Sequence, residues 1–308
     1  MSEDLNNISE GISITIPIHR GKVRDTYDIG NGYLLMVASD RISAYDLVLP
    51  TEIPYKGLVL SRLSEYWFED TVNIIPNHLI CLGDNHSKLS HLENAQALDV
   101  FPEGTLKRGM IVKRAERIDI ECVVRGYITG SAWGEYQKSQ TVFGMEMPAG
   151  MREGDVFKEP LFTPTTKAET GHDLPMSKED VRDMVGPDMA NDLETISKEV
   201  YVHAHDKSSS KGIIIADTKM EFGIIDSKLT IIDELITPDS SRFWDKSLYS
   251  PGKSQPNFDK QYVRDWLTEF GWNREPPAPE LPKDVVDKTI SRYIEAYKKL
   301  TGKDWTLD

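Results

Sequence analysis

The chain has 308 residues, of which 39% are hydrophobic and 28% are charged, a composition typical of a globular rather than a disordered protein. It carries 36 lysines and arginines against 50 aspartates and glutamates, and the net charge of −14 excludes strong non-specific binding to nucleic acid or to an anionic membrane. The length favours two lobes that share an interface. A local basic pocket could still bind a small phosphorylated molecule.

The cysteines and the amino-terminal sequence predict a cytoplasmic protein. Cys81 and Cys122 form neither a CxxC motif nor a disulfide framework, which favours a reducing compartment. The first residues, MSEDLNNISE, lack the basic flank and the apolar stretch of a secretory signal. The sequence contains no run of about 18 apolar residues, so no membrane-spanning helix is predicted. We therefore expect no nucleic-acid partner and no membrane partner.

The first third of the chain predicts mainly β-strands. Alternating isoleucines predict a strand over Ile12–Ile18, and an apolar run behind the turn signal GNG predicts another over Tyr33–Asp40. A further strand is predicted over Gly109–Ile118. Between them, apolar residues at helical spacing predict a helix over Gly57–Val72.

The middle of the chain alternates between helical segments and loops. Ile118–Tyr136 predicts a strand, a glycine-containing turn and a short helix that begins near Ser131. Gly144–Asp173 is rich in proline, glycine, threonine and charge and predicts a long surface loop. Ser177–Gly186 carries a variant of the capping box and predicts a helix, and a long helix is predicted to begin at Pro187.

The stretch Gly212–Asp226, GIIIADTKMEFGIID, predicts the first strand of a β-hairpin. The chain returns along a second apolar strand over Leu229–Ile236. Beyond the hairpin, helices are predicted over Lys260–Phe270 and Pro282–Thr301, joined by a proline-rich segment.

Alternation along the first strand of this hairpin places Asp217, Lys219 and Glu221 on one face. With a loop over residues 226–228, Glu221 falls opposite Asp233, and the two Cβ atoms would lie about 4.5–5.5 Å apart. Carboxylates that close need a cation between them, either Lys219 or a divalent ion. Mg²⁺ usually binds one or two protein carboxylates together with waters and substrate phosphates. A solvated strand face with ordinary ion pairs is the alternative, although apolar runs flank the charges.

Two segments are candidates for binding a phosphate. In VVRGYITGSAW, Arg125 ends an apolar strand and Ser131 lies near a helix start, where free backbone N–H groups and a guanidinium both suit an anion. In ELITPDSSRFWD, Arg242 follows a proline-marked turn that also holds Asp239. Each segment also has an alternative interpretation without a ligand. The first could be a capped helix with a surface arginine, and the second could be a serine-rich turn.

The other charged segments give weaker signals. His19–Gly32 resembles a glycine-containing hairpin of the type that covers nucleotide phosphates, with Lys22 and Arg24 on one face, and a basic edge hairpin is the alternative. In Ala38–Asp46 and Phe162–Asp173, solvated loop charges are favoured. The absence of HExxH, Cys/His clusters and GxSxG argues against zinc and against a serine hydrolase.

Together these motifs resemble those of the phosphoribosylaminoimidazole-succinocarboxamide synthase (SAICAR synthetase) family. The resemblance covers nearly the whole chain and rests on GKVRDTYD, SDRISAYD, ECVVRGYITGSAW, FTPTTKAE, IIADTKMEFG, DELITPDSSRFWD and DKQYVRDWL. The most specific motifs are E-x-V-V-R-x-x-x-T-G-S over Glu121–Ser131 and D-x-K-x-E-F-G over Asp217–Gly223. The length and the form RGYITGSAW are most similar to monofunctional, fungal-type members.

The resemblance implies an α+β fold in which a kinase-like, β-rich amino-terminal lobe covers an α+β lobe, with the active site in the crevice. The expected division is an ATP-covering lobe over residues 1–118 and a substrate and metal lobe over 119–308, which includes carboxy-terminal helices over 259–308. The implied reaction is the ATP-dependent ligation of L-aspartate to carboxyaminoimidazole ribotide (CAIR), which gives SAICAR, ADP and phosphate in purine biosynthesis, through an acyl phosphate. The expected partners are these small molecules, with a monomer or a weak homo-oligomer.

The resemblance also implies roles for individual residues. The catalytic residues would be Lys219, Asp217 and Asp40. ATP would be bound by Gly21, Lys22, Arg24, Lys113, Glu221 and Asp233, and the last two would also hold Mg²⁺. The other substrates would be bound by Arg125, Ser131, Asp239, Arg242, Lys167 and His172.

Two functional alternatives remain at this point. A kinase-like phosphotransferase acting on a small phosphorylated substrate would carry HRD and DFG triplets, and neither occurs in the sequence. A nucleotide-binding module without activity would use the same hairpin, but it would release no ADP when L-aspartate is added.

Overall fold

The computed structural model describes residues 15–167, 174–258 and 260–306, whose strands form two main antiparallel sheets and two short hairpins. The strands are β1 (His19–Arg20), β2 (Arg24–Gly30), β3 (Tyr33–Ala38), β4 (Ser43–Ala44), β5 (Leu47–Val48), β6 (Leu79–Leu82), β7 (Gly109–Lys113), β8 (Glu116–Tyr127), β9 (Thr141–Val142), β10 (Met145–Glu146), β11 (Val156–Phe162), β12 (Thr165–Thr166), β13 (Ile213–Ile225), β14 (Lys228–Ile232) and β15 (Ser241–Asp245). The first sheet has the order β1-β2-β3-β7-β6. The second has the order β11-β8-β13-β14, with β12 beside β8 and β15 beside β13.

The helices follow the sequence-based expectations closely. Within the described ranges they are α1 (Lys56–Asp70), α2 (His86–Leu89), α3 (Glu103–Leu106), α4 (Gly130–Ser139), α5 (Lys178–Val185), α6 (Pro187–Ser210), α7 (Gln261–Glu269) and α8 (Lys283–Thr301), with a 3-10 turn over Ala95–Leu98. The capping box of α5 forms between Ser177 and Asp180 as predicted. The α+β class is confirmed, and no helix in the described ranges is long and apolar enough to cross a membrane.

Three local predictions were wrong. The predicted strand over Gly109–Ile118 is two strands, β7 and β8, because the chain turns between them and β8 joins the other sheet. The predicted loop over Gly144–Asp173 contains β10, β11 and β12, and the last two pair with β8. In the predicted strand over Ile12–Ile18, Ile16 and Ile18 are exposed and lie outside β1, and the first part lies outside the described residues.

The largest hydrophobic cluster joins both sheets. It includes Val112 of β7 and Met220 of β13, together with Leu63 of α1 and Tyr293 of α8. Helix α6 packs on the face of β13 that carries Met220 and Phe222. The opposite face of β13 is therefore available for polar groups. The boundary between lobes at residue 118 stays a prediction.

A β-bulge in β13 sets which face each residue takes. Ile215 pairs with Phe243 of β15, but the next pair is Asp217 with Arg242, so Ala216 is an extra residue. Ile215 and Met220 accordingly lie in the same cluster although their numbers differ by an odd interval. The extra residue turns Asp217 and the alternate residues after it away from the core under α6.

Candidate active site

The charged face of β13 lies beside β8. In the register of these antiparallel strands, Asp217 is opposite Arg125 and Glu221 is opposite Glu121. Lys219 lies between them, opposite Val123. Paired residues of neighbouring strands share a face. The predicted face is thus confirmed, and its charges are joined by those of β8.

The predicted opposition of Glu221 and Asp233 was wrong. The hairpin loop has two residues, Asp226 and Ser227, both at positive φ, and Glu221 pairs with Ile232 of β14. Asp233 follows the strand, also at positive φ. The sequence Asp-Ser-Lys has no glycine to mark a two-residue turn, so the shorter loop was not evident. The carboxylate opposite Glu221 belongs to Glu121.

A first cluster of charges surrounds Lys219, whose Nζ lies 2.5 Å from Oε1 of Glu121 and 3.4 Å from Oε1 of Glu221. Burial lowers the pKa of this amine, but three nearby carboxylates outweigh burial and raise the pKa above its ordinary value. They are Glu221, Glu121 and Asp233. Lys219 therefore remains an ammonium across the physiological range. Lys167, which follows β12, forms a second ion pair with Glu221.

Asp233 links this cluster to the first sheet. Its carboxylate forms an ion pair with the guanidinium of Arg24 from β2, and Arg24 also contacts Glu234 at 3.0 Å. Burial raises the pKa of Asp233, but the charges of Arg24 and two lysines lower it below the ordinary range. The two residues predicted to share one face of the hairpin differ in environment, because Arg24 is buried and Lys22 is exposed. Nε of Arg24 has no hydrogen-bond partner within the part of the chain described.

A second cluster lies at the amino-terminal half of the same face. Oδ2 of Asp217 accepts from Nη1 of Arg125 at 2.9 Å and also pairs with Arg242. Nη2 of Arg125 lies 3.4 Å from Oγ of Ser131, in the first turn of α4. Two guanidiniums thus share one carboxylate. Burial lowers the pKa of Arg125, and the neighbouring charge of Arg242 adds to that effect, so an incoming anion would stabilise the pair.

Three of the residues predicted to bind ATP lie in a turn or at a strand end of the first sheet. Gly21 is in the turn between β1 and β2, where a Cβ would lie 2.9 Å from the carbonyl oxygen of Arg24. The exposed Lys22 pairs with Asp46. Lys113, at the end of β7, lies 3.6 Å from Asp226. The structure does not bring Lys22 or Lys113 into ion pairs with the Lys219 cluster.

Two predicted aspartates have structural partners. The side chain of Asp239 is 1% exposed and contacts Lys56 at 2.6 Å and Lys260 at 3.1 Å, with Tyr293 donating at 2.9 Å. Asp40 accepts from the backbone N–H of residue 57 at 2.9 Å, in the first turn of α1. Neither aspartate is joined to the charged face of β13 by a direct ion pair among the described contacts. His172 lies outside the described residues.

The sequence reasoning missed Glu121 as a site residue. The signal was present, because Glu121 and Arg125 lie four residues apart in an apolar strand and so share a face. Among the described residues, no three His, Cys, Asp or Glu side chains are arranged to hold a metal ion. The buried carboxylate of Glu221 and the partly exposed carboxylate of Asp233 fit a weaker site in which waters and phosphates supply the other ligands.

Comparison with known proteins identifies the family. The sequence profile of the SAICAR synthetase family matches residues 17–279. The phosphoribosylaminoimidazole-succinocarboxamide synthase of Maridesulfovibrio salexigens is 47% identical over 289 residues, which is 93% of this chain and 94% of that protein. The protein of the same name from Geotalea uraniireducens is 50% identical over 285 residues, 92% of this chain and 94% of that protein.

Solved structures that are similar to this chain belong to the same family as the sequence relatives. The SAICAR synthase of Saccharomyces cerevisiae, solved in complex with SAICAR, has a TM-score of 0.81 at 42% identity and covers 95% of this chain and 97% of its own. A type-2 SAICAR synthetase solved in complex with ADP has a TM-score of 0.68 at 22% identity, over 94% of this chain and 99% of its own, and shows the shared fold.

These matches confirm the family indicated by the motifs and disfavour a kinase-like phosphotransferase. The length is not specific to fungal members, because the bacterial relatives align over nearly their whole length at higher identity than the yeast protein. The chain belongs to the SAICAR synthetase family of amide-forming ligases.

Proposed function

We propose that the chain catalyses the ATP-dependent ligation of L-aspartate to CAIR, giving SAICAR, ADP and phosphate. The observation that carries this proposal is the single charged face of β13. Asp217 lies in a two-arginine pocket, and Lys219 and Glu221 belong to a cluster of carboxylates and ammonium groups. Residues two apart in a strand are separated by about 7 Å. One elongated substrate can therefore contact both clusters.

The chemistry requires activation of a carboxylate. An oxygen of the CAIR carboxylate attacks the terminal phosphorus of ATP, and ADP leaves. The amine of L-aspartate then attacks the acyl carbon of the resulting acyl phosphate, loses a proton, and phosphate leaves with that oxygen. Such a reaction needs positioning and charge neutralisation more than it needs a protein nucleophile.

The two clusters suit different parts of this reaction. Arg125, Arg242 and Ser131 would bind the 5′-phosphate of the ribotide, while Asp217 positions both guanidiniums. Lys219 would neutralise charge on the CAIR carboxylate and the transferred phosphoryl group. Because its pKa is raised, Lys219 acts as a fixed cation rather than as a base.

The first sheet would contribute the ATP site. The turn at Gly21 and Lys22 would cover the phosphates, and Lys113, at the end of β7, would also contact ATP. The unpartnered Nε of Arg24 is a buried donor that a phosphate oxygen would satisfy. A type-2 SAICAR synthetase of the same fold was solved in complex with ADP, which supports an adenine nucleotide as a ligand.

Glu221 and Asp233 are the residues that would hold Mg²⁺. Both are carboxylates near Lys219, and Mg²⁺ prefers oxygen ligands supplied partly by water and phosphate. When bound, Mg²⁺ neutralises charge on the ATP phosphates. Asp40 and Asp239 are better assigned to supporting α1 and the segment before β15 than to catalysis or substrate binding.

The remaining predictions concern the binding of L-aspartate, the location of the protein and its assembly. Lys167 and His172 remain candidates for binding L-aspartate. A cytoplasmic location and a monomer or weak homo-oligomer also remain predictions.

Substrate omission combined with isotope tracing tests the reaction itself. Labelled oxygen from the CAIR carboxylate should appear in inorganic phosphate only when ATP and L-aspartate are both present. Undiminished ADP release without CAIR, or label-free phosphate, would contradict the proposal.

A further inference from the structure

Glu221 lies between two ammonium groups. Its Oε1 forms an ion pair with Lys167 and lies 3.4 Å from Nζ of Lys219. The side chain of Glu221 is only 4% exposed, and both lysines contact the same oxygen of its carboxylate. The proposed metal ligand is therefore already neutralised by side chains of the chain itself.

The two lysines are held differently. Lys219 is fixed by Glu121 at 2.5 Å, and the other oxygen of Glu121 accepts from Thr165 at 3.3 Å. Among ion pairs of the described residues, Lys167 contacts one carboxylate, that of Glu221. Its side chain is 25% exposed. Loss of the contact with Glu221 would thus leave Lys219 anchored and would free the Lys167 ammonium from that carboxylate.

We propose that Lys167 occupies the metal position on Glu221 and is displaced when Mg²⁺ binds, which makes the two cations mutually exclusive. This inference rests on the proposed function, since it places Mg²⁺ at Glu221. Lys167 makes the closer of the two lysine contacts with Oε1 of Glu221, and an ammonium and a divalent ion cannot both approach that oxygen closely without strong repulsion. Displacement frees the Lys167 ammonium to bind a substrate carboxylate at the edge of the site. Metal binding would therefore precede and assist binding of that carboxylate.

Calorimetric titration of ADP at a series of free Mg²⁺ concentrations tests the competition without turnover. In Lys167→Met, the Mg²⁺ concentration that gives half of the maximal ADP affinity should fall by about tenfold, a typical coupling between linked sites. Lys167→Arg keeps the charge and should behave as the wild type. Lys178→Met removes an equal charge from an exposed site that pairs with Glu194 and should also leave the Mg²⁺ dependence unchanged.

The outcomes separate this inference from the proposed function. Mg²⁺-dependent ADP binding by the wild type with no gain in Lys167→Met overturns the competition alone. An equal gain in Lys167→Arg or in Lys178→Met overturns it as well, because the effect would not depend on a cation at Glu221. Absence of any Mg²⁺-dependent ADP binding by the folded wild type overturns the proposed function and the competition together. Circular dichroism of each variant verifies that the protein is folded.

Discussion

Glu121 and Glu221 occupy directly opposed positions on two neighbouring antiparallel strands, with the ammonium of Lys219 within 3.4 Å of both carboxylates. Like charges opposite each other destabilise a sheet unless a cation lies between them. Lys219 therefore stabilises the pairing of β8 with β13. The acids of this apolar strand lie on the face opposite the core under α6.

Replacing Glu221 by glutamine should abolish ADP formation while the fold survives. The substitution keeps the shape of the side chain but removes the charge expected to hold Mg²⁺. ADP release in a coupled assay gives the activity, and thermal unfolding gives the stability. Glu159→Gln, at an exposed position of β11, serves as the control. Activity near wild type at ordinary Mg²⁺ would remove Glu221 from the metal site.

Replacing Arg242 by alanine should raise the KM for CAIR by about 10- to 100-fold, as expected for loss of a charged hydrogen bond. Arg242 is a better probe than Arg125, because Arg125 is buried and its loss would also destabilise the fold. Asp217 keeps Arg125 as a partner in this variant. Steady-state kinetics should show an unchanged KM for ATP. A raised KM for ATP with an unchanged KM for CAIR would show that the two-arginine pocket binds ATP rather than CAIR.

Replacing Gly130 by alanine should weaken binding of CAIR in the same two-arginine pocket by displacing the side chain of Arg242. Gly130 has a φ of +57°, and an added Cβ would overlap the guanidinium of Arg242. The flexible end of Arg242 can move aside, so we expect a raised CAIR KM with a folded protein. Gly134→Ala in the same helix is a matched control, because no atom lies within 4 Å of its added Cβ. It should gain about 0.5–1 kcal/mol of stability. Similar CAIR KM values in both variants would contradict the role of Arg242.

Replacing Asp239 by asparagine should destabilise the protein by about 3 to 5 kcal/mol, because Lys56 and Lys260 would be left buried without a counter-charge. Burial raises the pKa of Asp239, but both lysines outweigh it and hold the pKa below its ordinary value of 3.8. The stabilisation is therefore complete above pH 3.8 and is lost as the pH falls toward the folded pKa. The difference in Tm between wild type and variant should narrow in acid.

A second variant tests whether this effect is specific. Asp304→Asn removes an exposed carboxylate that lies 3.6 Å from Lys298, and it should change the Tm little at any pH. A constant difference in Tm between wild type and Asp239→Asn from neutral pH to acid would show that the carboxylate of Asp239 is not ionised in the folded protein.

Most of the elements could be predicted from the sequence because their signals are local. Apolar spacing and caps located α1, α5 and α6, and alternation located the charged face of β13. The strands β10, β11 and β12 were hidden by proline and glycine. β10 pairs locally with β9, but β11 and β12 are defined by pairing with β8, which is distant in sequence.

Which residues make up the site was harder to predict from the sequence than which strand carries it. Pairing of β8 with β13 is a contact between residues far apart in sequence, and it places Glu121 opposite Glu221 on one side. On the other side, the two-residue hairpin loop places Ile232 rather than Asp233 opposite Glu221. The burial of Asp239 depends on helices from both ends of the chain, which supply Lys56 and Tyr293. Patterns within a single segment cannot reveal such partners.

The extra residue Ala216 has a consequence for how the chain can vary. Substitutions along β13 change one side chain at a time, but deletion of a single residue at this point would exchange the two faces of everything that follows. Met220 and Phe222 would then project into the active site, and Lys219 and Glu221 into the hydrophobic interior. The length of this strand is therefore more tightly constrained than most of its individual residues.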